Sequence, residues 1–135
     1  MEIFSDKRLI TFKAEQLFDM ISDVEHYAEF LPGWHSARIL KHEGNTAYVE
    51  QAVGLGVFHI RFCTQAISTP PVRIDITSID GPFRLLNIRW DFEPANRTGC
   101  LIHFNVEFEF RSTFLKRLIM PLFPTHCRRI ISAFE

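Results

Sequence analysis

The 135-residue sequence has no apolar stretch approaching the ~18 residues that a membrane-spanning helix requires. Its start, Met1-Glu2-Ile3-Phe4-Ser5-Asp6-Lys7-Arg8, lacks the apolar segment of a secretory signal and is too short and too acidic for an uncleaved mitochondrial presequence. An excess of either charge is missing as well: 15 Lys and Arg stand against 16 Asp and Glu, a formal net charge of −1. The global basic footprint of a nucleic-acid binder is therefore absent, and no DNA partner is expected. Cysteine is sparse. Cys63, Cys100 and Cys127 form no CxxC pair, and an odd, widely spaced set suits free thiols in a reducing compartment better than a disulfide frame. The expectation is a cytoplasmic protein. The six histidines, His26, His35, His42, His59, His103 and His126, contain no HExxH or HxH. His59 and Cys63 share a strand face and His103 could join them across a sheet. A metal site needs ligands that converge with little slack, so no metal is expected.

Hydrophobic residues make up 47% of the chain and charged residues 23%. That is the balance of one folded domain, taken as residues 1–135, rather than of a disordered tail. Phenylalanine is plentiful: 14 Phe against 2 Tyr and 2 Trp. Phe adds apolar surface with no polar handle. This suits plain core filling or the wall of a cavity that must stay apolar, and composition does not choose between them.

Residues Leu9 to Phe12 read as a short first strand. From Lys13 the period becomes helical, with Leu17, Phe18, Ile21 and Val24 on one face. Asp23 is placed to cap a second short helix running to Phe30, ended by Pro32-Gly33. From Ser36 to Ser112 the chain reads as about six strands in succession. Leu86, Ile88, Trp90 and Phe92 alternate with Asn87, Arg89, Asp91 and Glu93. Ile102, Phe104, Val106, Phe108 and Phe110 alternate with His103, Asn105, Glu107 and Glu109. Phe58, Ile60 and Phe62 oppose His59 and Arg61. Period two with one apolar face predicts an antiparallel sheet solvated on its other side. Turn signals separate the runs: Glu43-Gly44-Asn45, Gly54-Leu55-Gly56, Pro70-Pro71, Asp80-Gly81-Pro82 and Asn96-Arg97-Thr98-Gly99. After Ser112 the helical period returns, with Pro121 and Pro124 predicting a kink or two pieces. The only element long enough to cover the apolar sheet face is this C-terminal helix. Because a curved sheet and a helix do not match in shape, a gap between them is a candidate ligand cavity.

Several strings in this order resemble the coenzyme Q-binding START-domain family, within the polyketide-cyclase-like superfamily and close to its ribosome-association toxin branch. Asp23-Val24-Glu25-His26-Tyr27-Ala28-Glu29-Phe30-Leu31-Pro32 is similar to the family's D-V-x-x-Y-P-x-F-L-P. Gly81-Pro82-Phe83-Arg84 with Leu86, Trp90 and Phe92 resembles its G-P-F-x-x-L-x-x-x-W-x-F. Phe104 with Phe108-Glu109-Phe110-Arg111-Ser112, and the Ala133-Phe134-Glu135 ending, complete the likeness. Departures are Ala28 in place of Pro, the displaced aromatic in Gly33-Trp34, and Pro121 and Pro124 in the last helix.

The resemblance implies an α+β helix-grip fold. Two short helices follow the first strand, and a curved antiparallel sheet of six to seven strands wraps a long C-terminal helix. It implies a non-catalytic binder and carrier of ubiquinone or a related polyprenyl quinone that supports respiration or quinone biosynthesis, with the lipid as ligand and no other cofactor. On this reading the cavity wall is Phe58, Ile60, Phe62, Leu86, Ile88, Trp90, Phe104, Val106, Phe108 and Phe110. Trp34, Phe83, Leu118, Leu122 and Phe123 form the entrance, and Phe83 is read either as part of a tight turn or as a rim residue touching lipid. Trp34, Arg38 and Tyr48 are candidate donors to a quinone head, with nothing to select among them. The last helix holds four basic residues, Lys116, Arg117, Arg128 and Arg129, against the acidic Glu135. It reads as a solvated basic edge or as a surface for peripheral contact with the inner membrane.

No catalytic residue is expected. Asp91, Glu93, Glu107 and Glu109 fall on the charged face with Arg89, where cross-strand ion pairs are the ordinary outcome. Ser36 and Ser112 lack the context of an activated nucleophile. The alternative function is a protein of the ribosome-associated toxin type acting on the large subunit. A cyclase-like enzyme is a weaker alternative that needs a buried acid, His or Arg in the cavity.

Overall fold

Alternation of apolar and polar residues builds most of the chain into one antiparallel sheet in the computed structural model. The structure describes residues 2–31, 33–55, 58–78, 80–95, 99–121 and 123–134, without the side chains of Glu2, Phe30, Leu55, Phe58, Leu115, Ile119, Phe123, Pro124 and His126. The turn signals at Gly56 and at Asn96-Arg97-Thr98 therefore lie outside the described residues, as do Pro32 and Leu122. The strands are β1 (Glu2–Ile10), β2 (Trp34–Glu43), β3 (Thr46–Leu55), β4 (Phe58–Thr69), β5 (Arg73–Ser78), β6 (Phe83–Pro94) and β7 (Cys100–Phe110). Their order across the sheet is β1-β7-β6-β5-β4-β3-β2, so every strand after β1 pairs with its successor and β1 closes against β7. Alternation on β6 and β7 falls as the sequence predicts. Leu86, Trp90, Phe92, Ile102, Phe104, Val106, Phe108 and Phe110 are buried, while Arg89, Glu93 and Asn105 are exposed.

The first strand is longer than its apolar residues suggest. It starts at Glu2 rather than Leu9, and Ser5 to Arg8 pair with Asn105 to Ile102. An edge strand tolerates polar residues on both faces. Here Arg8 donates from its guanidinium to Ser132 Oγ at 2.8 Å and pairs with Asp6 at 3.3 Å.

Helix α1 (Ala14–Ser22) buries Ala14, Leu17, Phe18 and Ile21, the face predicted by its spacing. The Lys13 backbone N–H at its start donates to Gln16 Oε1 at 2.9 Å. A 3₁₀ turn (Val24–His26) leads into the short α2 (Tyr27–Phe30). Asp23 stands at the start of this turn but does not cap it with its side chain. Its carboxylate meets His26 Nδ1 at 2.7 Å instead, which raises the His26 pKa above its ordinary value.

The C-terminal helix is two pieces, α3 (Thr113–Ile119) and α4 (Phe123–Ala133), separated around Pro121 as its ring requires. The inner face of the sheet is covered by α4, which buries Cys127, Ile131 and Phe134. The exposed face of α4 carries Arg128, Arg129 and Ser132. On α3, Phe114 is 69% exposed beside exposed Lys116 and Arg117.

One corner joins the strand ends. Strand β5 pairs with β4 only along Gln65–Thr69, so Cys63 lies beyond its reach. The Asp80 carboxylate fills that place, accepting the Cys63 N–H at 2.9 Å, and the buried Ser78 hydroxyl donates to the Cys63 carbonyl at 2.6 Å. Gly81 follows with φ +64°, and a Cβ there would meet the Arg61 carbonyl at 2.7 Å and Phe62 Cβ at 2.9 Å. Both the dihedral and the close approach demand glycine.

Candidate functional site

A ladder of aromatic side chains ties the elements around the inner face together. Trp34 on β2 meets Tyr27 edge-on with centroids 5.6 Å apart, and Tyr27 meets Phe134 of α4 at 5.7 Å. Phe134 packs against Trp90 of β6 at 5.7 Å, and Trp90 lies 4.3 Å from Phe104 of β7. Such pairs add a geometric preference to ordinary burial. The Tyr27 hydroxyl is engaged by the Ile21 carbonyl, and burial pushes its pKa well above the usual phenol range.

Between this ladder and α4 lies a cavity of two lobes, about 80 Å³ each. Trp34, Phe62, Ile88, Phe104 and Ile130 border both. The first lobe continues to Val53, Ile60, Phe83, Leu86, Val106 and Cys127. Its walls are almost entirely carbon, and burial pushes the Cys127 thiol up to about 12. The second lobe continues towards Tyr27, Leu31, Val49, Trp90 and Phe134, and also meets Gln51 and Thr64. No carboxylate, His, Lys or Arg borders either lobe among the described residues.

Seven of the ten wall residues expected from sequence, Ile60, Phe62, Leu86, Ile88, Trp90, Phe104 and Val106, border the lobes. Phe108 and Phe110 do not. They are buried on the same face, but further along β7, where Phe110 stacks on Phe83 at 5.4 Å, and Phe108 and Phe110 border a separate groove beside Arg84 and Lys116. Strand parity assigns a face but not a position along it. The side chain of Phe58 lies outside the described residues.

The expected entrance is also redistributed. Trp34 is wall to both lobes. Phe83 does not project from a rim: it is 4% exposed and packs edge-on against Phe62 at 5.4 Å. Leu118 packs half-buried against the core without bordering a lobe. Leu122 and the Phe123 side chain lie outside the described residues. Of the three candidate donors, only Trp34 reaches the cavity. Arg38 is exposed and lies 3.8 Å from Glu50, and Tyr48 falls on the outward parity of β3, opposite to buried Val49 and Gln51.

Gln51 and Thr64 are the polar residues that sequence reading passed over. Gln51 is 8% exposed and Thr64 5%, and Gln51 Nε2 donates to Thr64 Oγ1 at 2.8 Å. The signal lay in strand parity. Val49, Gln51 and Val53 form one alternating set, and Phe62, Thr64 and Ala66 form its cross-strand neighbour.

The outer face of the sheet is chemically different. A groove of about 320 Å³ opens there between Asp75, Asn87, Arg89, Asn105 and Glu107. It is larger than either inner lobe, but its one arginine is already engaged: Arg89 donates to Asp75 at 2.9 Å, and beside it Arg73 donates to Asp91 at 2.7 Å. Glu93 lies 3.8 Å from His103, and Glu109 lies 3.8 Å from Arg84. His59 faces His35 at 5.2 Å over Gly54, far in strand order from His103. Among the described residues no three His, Cys, Asp or Glu side chains converge as metal ligands. No helix among them is long and apolar enough to cross a membrane.

Comparison with known proteins agrees with this fold. The profile of the family described as polyketide cyclase / dehydrase and lipid transport matches residues 10–135. The ribosome association toxin RatA of Vibrio cholerae is 32% identical, covering 99% of this chain and 93% of the relative. The coenzyme Q-binding protein COQ10 homolog B of Xenopus laevis, a mitochondrial protein, is 26% identical over 98% of this chain but 56% of its own length. A START superfamily protein from Mycobacterium smegmatis superposes with TM-score 0.87 at 17% identity, covering 98% of this chain and 94% of the other. The Zhui aromatase/cyclase from Streptomyces superposes with TM-score 0.90 at 11% identity, covering 98% and 90%. At such identities these two establish a shared fold, the START-like α+β architecture that the sequence motifs implied.

Proposed function

Because this chain belongs to the polyketide cyclase/dehydrase and lipid transport family, we propose that it is a non-catalytic carrier of a polyprenyl quinone. The observation that carries this reading is the two-lobed apolar cavity between α4 and the inner face of the sheet. Each CH₂ taken out of water there contributes about 0.8 kcal/mol, so a prenylated ligand gains affinity with no directional bond. A quinone head needs only hydrogen-bond donors. The described cavity walls supply neither an acid–base pair nor an activated nucleophile, which favours carriage over the chemistry of a cyclase. The COQ10 relative, named as a coenzyme Q-binding protein, supports the same class of ligand.

The size of the space sets a condition. A dry cavity of about 150 Å³ holds a benzene ring, and the two lobes together are of that order. A ring or a short prenyl segment fits the closed form. A longer tail requires α4 to swing from the sheet or leaves its far end outside. Exposed Phe114 with Lys116 and Arg117 on α3 suits an anionic membrane surface. On this reading the protein works from the cytoplasm at the inner membrane, in support of respiration.

Native mass spectrometry with lipid extraction tests the proposal on protein purified from a quinone-producing host. Ubiquinone or menaquinone at near-stoichiometric level is the expected result. An empty protein that also fails to take up added ubiquinone overturns it.

A second reading, association with the large ribosomal subunit, is favoured by the RatA relatives and by the exposed Arg128 and Arg129 on α4. It predicts pelleting with the large subunit that weakens steeply as salt rises.

A further inference from the structure

The two lobes share walls but not chemistry. One is bordered almost entirely by carbon. The other is also bordered by Gln51 and Thr64, which hydrogen-bond to each other across adjacent strands β3 and β4. Both side chains are more than nine-tenths buried, and their mutual bond is the one each makes among the described residues. A carboxamide has two N–H donors and a carbonyl acceptor, and a hydroxyl has one donor. With Gln51 Nε2 donating to Thr64, one amide N–H and the Thr64 O–H are left. If the amide is turned about, Thr64 donates to the Gln51 carbonyl and both amide N–H groups are left. Either orientation leaves two polar hydrogens without an internal acceptor in an apolar lobe. Leaving such capacity buried is costly unless something receives it.

We propose that Gln51 and Thr64 are the head-recognition site of the cavity, donating to a carbonyl oxygen of a prenylated ligand while its tail occupies the carbon-walled lobe. This deepens the carrier reading above and rests on it. The geometry then orients the ligand. The head sits among Trp34, Tyr27 and Trp90 beside Gln51, and the tail runs past Phe62 towards Phe83, which requires α4 to swing outward because the closed lobes together hold about one ring. Selectivity for a carbonyl-bearing lipid over a hydrocarbon of the same shape follows, since the hydrocarbon leaves both donors unanswered.

The test uses a matched pair of probes, geranyl-benzoquinone and geranylbenzene, and the full chain. Affinities are measured by calorimetry for the wild type, for the double variant Gln51→Met/Thr64→Val, and for Thr64→Val alone. Replacing both partners with apolar groups of similar shape is tolerated better than removing one, and a thermal melt verifies each fold. The expected result is that the ratio of quinone to hydrocarbon affinity falls about tenfold in the double variant, with geranylbenzene binding unchanged. The infrared carbonyl stretch of bound geranyl-benzoquinone should be shifted to lower frequency in the wild type and unshifted in the double variant. Thr64→Val supplies a smaller fall in the ratio should the double variant not fold. If both probes bind the wild type and folded variants leave the ratio and the carbonyl stretch unchanged, head recognition by this pair is overturned while the carrier reading stands. Equal loss of both probes overturns it too, since that marks a shaping role. If the wild type binds neither probe, the carrier reading falls and this inference with it.

Discussion

The two faces of strands β6 and β7 are made from the same twenty-odd residues yet obey opposite rules. On the inner face Trp90 and Phe104 lie 4.3 Å apart and close a cavity with α4. On the outer face, one residue along each strand, Arg89 bonds to Asp75 and Glu93 approaches His103 in contact with water. The inner face is organised by shape and exclusion of water, the outer by charges that cancel one another. A large charged groove is therefore not by itself a binding site in this molecule. The outer groove is bigger, but its arginine, Arg89, is answered by Asp75 in contact with solvent. The inner lobes are small, and the few polar atoms there are not all answered.

The strongest test of that contrast compares neighbours on one strand. Phe104→Ala empties part of the wall of both lobes and should cost about 3–5 kcal/mol in urea unfolding. Asn105→Ala, exposed beside it, should stay within about 0.5 kcal/mol of wild type. Equal effects would break the distinction between the faces. A second comparison sets two glycines side by side. Gly81 has φ +64° and backbone within 2.7 Å of any added Cβ, whereas Gly44 has φ +56° and open space around it. Strain alone predicts about 1 kcal/mol for Gly44→Ala, and strain plus collision about 2 kcal/mol or more for Gly81→Ala. Matched losses in thermal melts would show that the corner under Phe62 yields more easily than its packing implies.

Titration sharpens the comparison on the cavity side. Burial holds the Cys127 thiol neutral up to about 12, while in the unfolded chain it ionises near ~8.5. Between those values the native state keeps a proton that the unfolded state has lost. Stability therefore falls as pH rises above the unfolded value, by up to about 1.4 kcal/mol per pH unit from this group. Over pH 8.5–10 Cys127→Ala should start less stable than wild type and decline less steeply. Parallel declines in chemical denaturation would place the thiol in a wetter setting than the carbon-walled lobe. Alkylation at pH 8 should reach exposed Cys63 well before Cys127.

Much of this arrangement is legible in the sequence because period two is a strong signal wherever one face is dry. The alternation of Leu86 to Glu93 and of Ile102 to Phe110 places the faces correctly, and Pro121 correctly divides the last helix. The failures have physical causes. Ser5 to Arg8 look nothing like a strand, because an edge strand need not be apolar. Phe108 and Phe110 have the parity of wall residues but stand beyond the lobes, since α4 decides which stretch of the face it covers. Phe83 is buried because the Asp80–Gly81 corner turns it against Phe62, a contact between distant segments that local spacing does not encode. Gln51 and Thr64 are hidden by the habit of assigning polar residues outward. Their Val and Phe neighbours at two-residue spacing are the better guide.

The smallest effect is the one that most directly opposes inside and outside. Arg73 and Asp91 form a short charged bond of 2.7 Å on the outer face, and it raises the Arg73 pKa. By distance alone it looks stronger than the Gln51–Thr64 bond at 2.8 Å. Solvent reverses the order. Both outer side chains are partly open to water, which screens the pair and solvates either partner once the other is gone. Thr64→Val leaves a buried amide with nothing to receive its proton, a cost of about 1–3 kcal/mol. Arg73→Ala and Asp91→Ala should instead melt close to wild type. The coupling in their double-mutant cycle should vanish at about 1 M salt, where the screening length is only ~3 Å. A coupling that survives such salt would mean that the outer face is drier than its exposure indicates, and that ion pairs help to hold the sheet in the curvature its cavity needs.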